Sequence, residues 1–278
     1  MPREATQART VTVQGVEVPK LGYGTWLVEG EDAYAGVLDA LELGYRHIDT
    51  ARAYGNEREV GRALADAGVP REEVWLTTKV WYEHAAPDVL TRVFERQLAD
   101  LQVDRVDLLL LHWPAPETPL ARTLGAMDAL REQGLTSHIG VSNFPAPLLR
   151  EALALAPIFA DQVEYHPYLP QGPVMRECIE HDVLLTAYSP FAHGHVHDDP
   201  SLAAIGARHG KSAGQVALRW LLDQPNVATI PKASSHARRA ENLDVFDFEL
   251  DDDERAAVAA LSQRRLRTAD PPWAPDWD

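Results

Sequence analysis

Cysteine is nearly missing: Cys178 is the only one in 278 residues. No intramolecular disulfide and no thiolate metal cluster can therefore form, which suits a reducing, cytoplasmic setting. Long apolar runs are missing too. The longest leucine run, Leu108 to Leu111, is far short of the roughly 20 residues that span a bilayer. The opening MPREATQART has no apolar core of the signal-peptide kind, so a soluble, unprocessed chain is expected. Basic residues are in deficit, with 26 Lys plus Arg against 42 Asp plus Glu and a formal net charge of −16. Such a field repels nucleic acid and anionic membrane, because both demand clustered cations. What is present is ordinary globular material, 45% hydrophobic and 24% charged.

Short apolar runs alternate with stretches of helical period from Leu21 onward, the pattern of repeated strand and helix units around a parallel sheet. Eight strands are expected: Leu21 to Trp26, Arg46 to Asp49, Val74 to Val80, Arg105 to His112, His138 to Ser142, Ala160 to Glu164, Val183 to Ser189 and Val227 to Pro231. Eight such units in 278 residues match a (β/α)8 barrel, taken as a single α/β domain over residues 1–278. Thr10 to Val18 reads as a hairpin around Gln14-Gly15 that could plug the barrel floor. Ser212 with Gln215 reads as a capping box. After the last strand come helices from about Ser235 and over Asp252 to Leu261, then a tail carrying Trp273 and Trp277.

In such a barrel the reactive groups sit at the carboxyl ends of the strands. Those ends carry Asp49, Lys79, His112, Ser142-Asn143 and Tyr188-Ser189, with Lys232 after the eighth strand, Gln162 in the sixth and Tyr54 on the loop after the second. An acid, a lysine, a tyrosine and a histidine on one rim make a proton-donating site. A phenol is a poor acid at neutral pH, and a nearby ammonium would lower its pKa. Lys79 is expected to do this to Tyr54, Asp49 to keep Lys79 charged, and His112 to orient a carbonyl oxygen. Nothing in the set is a nucleophile.

The run Gly44-Tyr45-Arg46-His47-Ile48-Asp49-Thr50-Ala51, with Tyr54, Gly55, Glu57 and Gly61 at their offsets, closely resembles the first signature of the aldo-keto reductases. The likeness continues through Thr77-Thr78-Lys79, Leu111-His112-Trp113-Pro114, Gly140-Val141-Ser142-Asn143-Phe144, Gln162-Val163-Glu164-Tyr165-His166-Pro167 and Ile230-Pro231-Lys232. It covers about residues 10 to 262 and looks most like the bacterial diketogulonate-reductase-like members. The resemblance implies NADPH-dependent reduction of an aldehyde or ketone, with Tyr54 as general acid supported by Lys79, Asp49 and His112. It further implies that Ser142, Asn143 and Gln162 hold the nicotinamide carboxamide, and that Tyr188, followed by Ser189, stacks on the ring. Thr25 and Trp26 would line the same pocket. Lys232 and Arg238 would take the 2′-phosphate, with Glu241 and Asn242 at the adenosine. Trp26, Trp81, Trp113 and Trp273 suggest an apolar substrate wall.

The sequence departs from the family pattern at several positions. Ala233 replaces a serine that would add a phosphate hydrogen bond, leaving NADH as the second choice of cofactor. Ser137 stands where a basic residue is common and is read as surface drift. The loop after the seventh strand reads His193-Gly194-His195 with His197 beyond; no fourth ligand is fixed nearby, so it is taken as a solvated loop and not as a metal site. A rival reading keeps the fold and the nicotinamide cofactor but makes the chain a regulatory or structural protein, and the presence of all four reactive residues favours the enzyme. No partner beyond a small carbonyl compound is needed, and nothing demands an oligomer.

Overall fold

Strands buried on both faces are rich in apolar residues, and the run Leu108 to Leu111 is the clearest case in this protein. The computed structural model describes residues 9–278. A hairpin of β1 (Thr10–Val13) and β2 (Val16–Pro19) comes first, turning through Gln14 and Gly15, both at positive φ. Eight parallel strands follow in chain order: β3 (Tyr23–Gly24), β4 (His47–Asp49), β5 (Trp75–Val80), β6 (Val106–Leu111), β7 (Thr136–Ser142), β8 (Ile158–Glu164), β9 (Leu184–Tyr188) and β10 (Val227–Thr229). The sheet closes on itself, because Leu21 bridges Thr229 and the Gly22 N–H donates to the Thr229 carbonyl at 2.8 Å. Closure requires glycine at position 24, where a Cβ would lie 2.6 Å from the Ile230 carbonyl oxygen.

Each strand is followed by helix: α1 (Gly30–Leu43), α2 (Glu57–Asp66), α3 (Pro87–Leu101), α4 (Leu120–Glu132), α5 (Ala146–Leu155) and α6 (Gly172–Glu180) fill the first six gaps. The pair α7 (Pro200–His209) and α8 (Ala213–Leu222) fills the seventh, and α9 (His236–Leu243) and α10 (Asp252–Ala260) follow β10. Start and stop chemistry is local. Gly44 ends α1 in the left-handed region, Pro87 opens α3, and the Ser212 and Gln215 capping box starts α8.

Two features differ from the sequence expectation. The first barrel strand is only Tyr23–Gly24, because the chain turns immediately, with the Val28 N–H donating to the Thr25 carbonyl and Leu27 at positive φ. Trp26 is thereby left outside the strand. The extra helix α7 begins at an Asp199-Pro200 start whose carboxylate accepts from the Ser201 and Leu202 N–H groups.

The hairpin plugs the floor as its sequence suggested. Val11, Val13 and Val18 pack with Trp75, Leu108, Leu110, Phe159 and Leu184 in a cluster separate from the main core between sheet and helices. His138 stacks on both Trp75 and Phe159 in that floor, and those two rings also meet each other at 5.6 Å. The opposite end is left for polar groups.

Candidate active site

Asp49 ends β4, Tyr54 closes the single 3₁₀ turn that follows it, Lys79 is the penultimate residue of β5, and His112 directly follows β6. Three adjacent strands thus deliver four reactive side chains to one end of the barrel. The Lys79 ammonium is fully buried and uses all three of its donors. They go to Asp49 Oδ1 at 2.5 Å, the Thr50 carbonyl at 2.8 Å and the Tyr54 hydroxyl at 3.3 Å. The second oxygen of Asp49 accepts from Gln162 Nε2 at 2.7 Å. The Tyr54 and His112 rings meet edge to face at 5.6 Å.

A second ring of residues holds these in place. Asn56 accepts from Thr50 Oγ1 and donates to the Thr25 and Val28 carbonyls, pinning both ends of the loop that carries Tyr54. Glu57 accepts from Thr78 Oγ1 and Gln97 Nε2, and Gln97 also donates to the Lys79 carbonyl. Among these, Asn56 and Gln97 carried no distinguishing signal in the sequence beyond their closeness to the signature run. Glu57 stood inside it.

The electrostatics follow from burial. Lys79 is lowered by desolvation, with Asp49 pulling it back up. His112 is held well below the ordinary imidazole value by burial and then by the Lys79 charge, so it is neutral at pH 7. Tyr54 runs against the sequence expectation: burial, reinforced by the Asp49 carboxylate, pushes the phenol well above its ordinary value. The phenol is therefore a fully protonated donor with an ammonium already hydrogen-bonded to its oxygen.

Ser142, Asn143, Gln162 and Tyr188 form one connected network. Tyr188 donates to Asn143 Oδ1 at 2.7 Å, Asn143 Nδ2 donates to the His112 carbonyl and to Ser142 Oγ, and Ser142 Oγ donates to the Gln162 carbonyl. Asn143 and Ser189 both adopt positive φ, which turns the chain sharply at the ends of β7 and β9. Thr25 is buried, with its hydroxyl on the Asp49 carbonyl.

The far side of the rim holds the cationic residues. Lys232 and Arg238 are exposed, and among the described residues no carboxylate lies within 4.0 Å of either. Their neighbours His236 and Arg239 are both spent on Asp39. Arg238 is in the first turn of α9, and its N–H is capped by Ser235. Glu241 accepts from Ser212 Oγ, and Asn242 is buried on the same helix. Two free cations beside a helix start fit a phosphate, and Tyr188 with its amide network fits a planar ring carrying a carboxamide. The residues present thus suit a nicotinamide dinucleotide.

The three histidines do separate things. All are exposed; His193 lies against Trp26 at 5.6 Å, and His197 packs on Phe191 at 4.7 Å. Of the aromatic wall, Trp81 meets His112 at 5.3 Å and Trp273 at 5.8 Å, while Trp113 meets Trp277 at 6.2 Å. Tyr82, also against Trp273, was not foreseen. The tail is brought here by Glu164, whose buried carboxylate accepts from the N–H groups of Thr268 and Ala269. Asp278 accepts from the Ala146 N–H and so caps α5.

Comparison with known proteins agrees with this geometry. Residues 20–263 match the aldo/keto reductase family. A glyoxal reductase of Bacillus subtilis is 41% identical over 90% of this chain and 91% of its own length. A methylglyoxal reductase of Escherichia coli is 36% identical over 94% of this chain and 99% of its own. The crystal structure of a candidate 2,5-diketo-D-gluconic acid reductase B superposes with a TM-score of 0.96 at 43% identity, covering 98% of each chain. The chain belongs to the aldo/keto reductase family of NAD(P)H-dependent oxidoreductases.

Proposed function

We propose that this protein reduces small aldehydes and ketones to alcohols with NADPH, acting as one (β/α)8 domain in the cytoplasm without nucleic acid, membrane or partner subunit. The observation that carries the reading is the buried Lys79 ammonium shared between Asp49 and the Tyr54 hydroxyl. When bound, the reduced nicotinamide supplies the hydride that adds to the carbonyl carbon. Tyr54 gives its proton to the carbonyl oxygen, and the phenolate left behind is stabilised by the hydrogen bond it already receives from Lys79. Neutral His112 offers an N–H to the same oxygen and fixes which carbonyl geometry reacts. Trp26, Trp81, Trp113 and Trp273 surround the substrate with apolar surface. Ser142, Asn143, Gln162, Tyr188 and Ser189 orient the nicotinamide, while Lys232, Arg238, Glu241 and Asn242 receive the adenosine phosphate end.

The test is loss of reduced-nicotinamide absorbance with glyoxal and methylglyoxal, run with NADPH and NADH. Turnover with NADPH at a kcat/KM at least tenfold above that with NADH is expected. A protein that binds NADPH and turns over no carbonyl compound overturns the enzyme reading in favour of a regulatory or structural role. Equal rates with both cofactors overturn the NADPH preference and point to Ala233 as the missing contact.

A further inference from the structure

From Lys232 the chain runs through Ala233, Ser234 and Ser235 before α9 begins and brings in Arg238, so the spacing of these two cations depends on a loop. Arg239 ties that loop together. Its buried guanidinium donates from Nη1 to the Ala233 carbonyl at 3.0 Å and from Nε to Asp39 Oδ2 at 2.5 Å. One end of this bridge is the residue after Lys232, and the other is the residue after Arg238. Two phenols brace both ends: the Tyr23 hydroxyl donates to the Ala233 carbonyl at 3.3 Å, and the Tyr45 hydroxyl donates to the Arg239 carbonyl at 2.9 Å.

The anchor of the bridge lies outside the loop, on α1. There the packing leaves no slack, since a Cβ at Gly36 would lie 2.5 Å from the Tyr23 hydroxyl. Asp39 also accepts from His236 Nδ1 at 2.6 Å, so the start of α9 is held to the same carboxylate. Burial alone would raise Asp39, but the hydrogen bonds and charges of His236 and Arg239 outweigh it and hold the carboxyl below its ordinary value. It is therefore an anion at neutral pH.

An anion beside a phosphate site opposes the phosphate through its field. Its place is justified only if what it holds together matters more. We infer that Asp39 and Arg239 are positioning residues for the 2′-phosphate of the cofactor: the bridge from Asp39 through Arg239 to Ala233 sets the spacing of Lys232 and Arg238 before the ligand arrives. A cation pair held in advance spares the ligand the cost of ordering it. The need is sharpened by Ala233, which has no hydroxyl to offer the phosphate. This inference rests on the proposed reading in which Lys232 and Arg238 receive that phosphate.

Field and positioning make opposite demands on Asp39→Asn. By field alone, removing an anion tightens NADPH. By positioning it loosens the bridge, and the NADPH Kd, read from quenching of protein fluorescence, should rise about fivefold or more while the NADH Kd stays within about twofold. Arg239→Leu should act in the same direction, and the double variant should bind NADPH no more weakly than Arg239→Leu alone, because both changes break one bridge. Additive losses, or NADPH held as tightly or more tightly by Asp39→Asn, overturn the inference. Equal losses on NADPH and NADH overturn it too, since they make the pair a general support of the barrel. A wild type that binds both cofactors equally removes the phosphate reading and the inference with it, whereas a wild-type preference that Asp39→Asn leaves intact overturns the bridge alone.

Discussion

Lys79 and Lys232 lie on the same end of one barrel and carry the same charge, yet their surroundings are opposite. Lys79 is fully buried and donates to three oxygens. Lys232 is exposed and, among the described residues, has no carboxylate within ion-pair reach. A buried cation without partners is too costly to keep, so Lys79 comes with Asp49, and the pair serves a proton that moves at a fixed place. An exposed cation costs little and stays available, so Lys232 and Arg238 suit a charge that arrives with a ligand. The first kind of charge should control rate; the second should control affinity and respond to salt.

The largest effect should come from breaking the buried side of that contrast. Lys79→Met should lower kcat by 10²–10⁴-fold, the range for positioned proton transfer, while NADPH still quenches protein fluorescence with a near wild-type Kd. Loss of NADPH binding instead would make Lys79 a cofactor ligand. Next in size, Lys232→Met should weaken NADPH by about tenfold or more, consistent with a charge-assisted phosphate contact, and change NADH little. Added salt should weaken NADPH binding to wild type and do so less in the variant; parallel salt curves would break the distinction between the two lysines.

A third prediction concerns the tail that closes over the apolar wall. Burial alone would raise Glu164, but hydrogen bonds from His166, Thr268 and Ala269 outweigh it and hold the carboxyl below its ordinary value. A folded value below the unfolded 4.5 means that the stabilisation is complete above about pH 4.5 and is lost as pH falls through the folded value. Glu164→Gln should lower stability by roughly 1–3 kcal/mol at neutral pH and flatten the acid side of the Tm-against-pH curve. An unchanged acid slope would detach Glu164 from the docking of the tail. The smallest effect is reserved for the exposed loop. If His193 aids Lys232 on the phosphates, His193→Phe should weaken NADPH binding a few-fold while keeping the contact with Trp26, and an unchanged Kd would take His193 out of the site.

The barrel and its reactive rim were legible because polar residues stand at the ends of short apolar-rich runs, as Asp49, Lys79 and His112 do, while Tyr54 on the following loop was marked by the signature around it. The floor hairpin was legible from its Gln14-Gly15 turn. What sequence missed depends on contacts between distant segments. Glu164 meets Thr268 across 104 positions, and nothing local marks either as a tether. Arg267 is one of three arginines among residues 264–267, and nothing local distinguishes it from Arg264, which pairs with Asp199. The Tyr54 protonation balance was missed for a different reason: the ammonium was foreseen, but the weight of burial against it depends on depth.

The most direct test of the account is Tyr54→Phe, assayed in parallel for NADPH binding by fluorescence and for glyoxal reduction by absorbance. The account predicts binding within a few-fold of wild type and a reduction rate down by at least about 10²-fold, since only the proton donor has been removed. Full turnover by Tyr54→Phe would contradict it and would move the proton donor elsewhere on the rim.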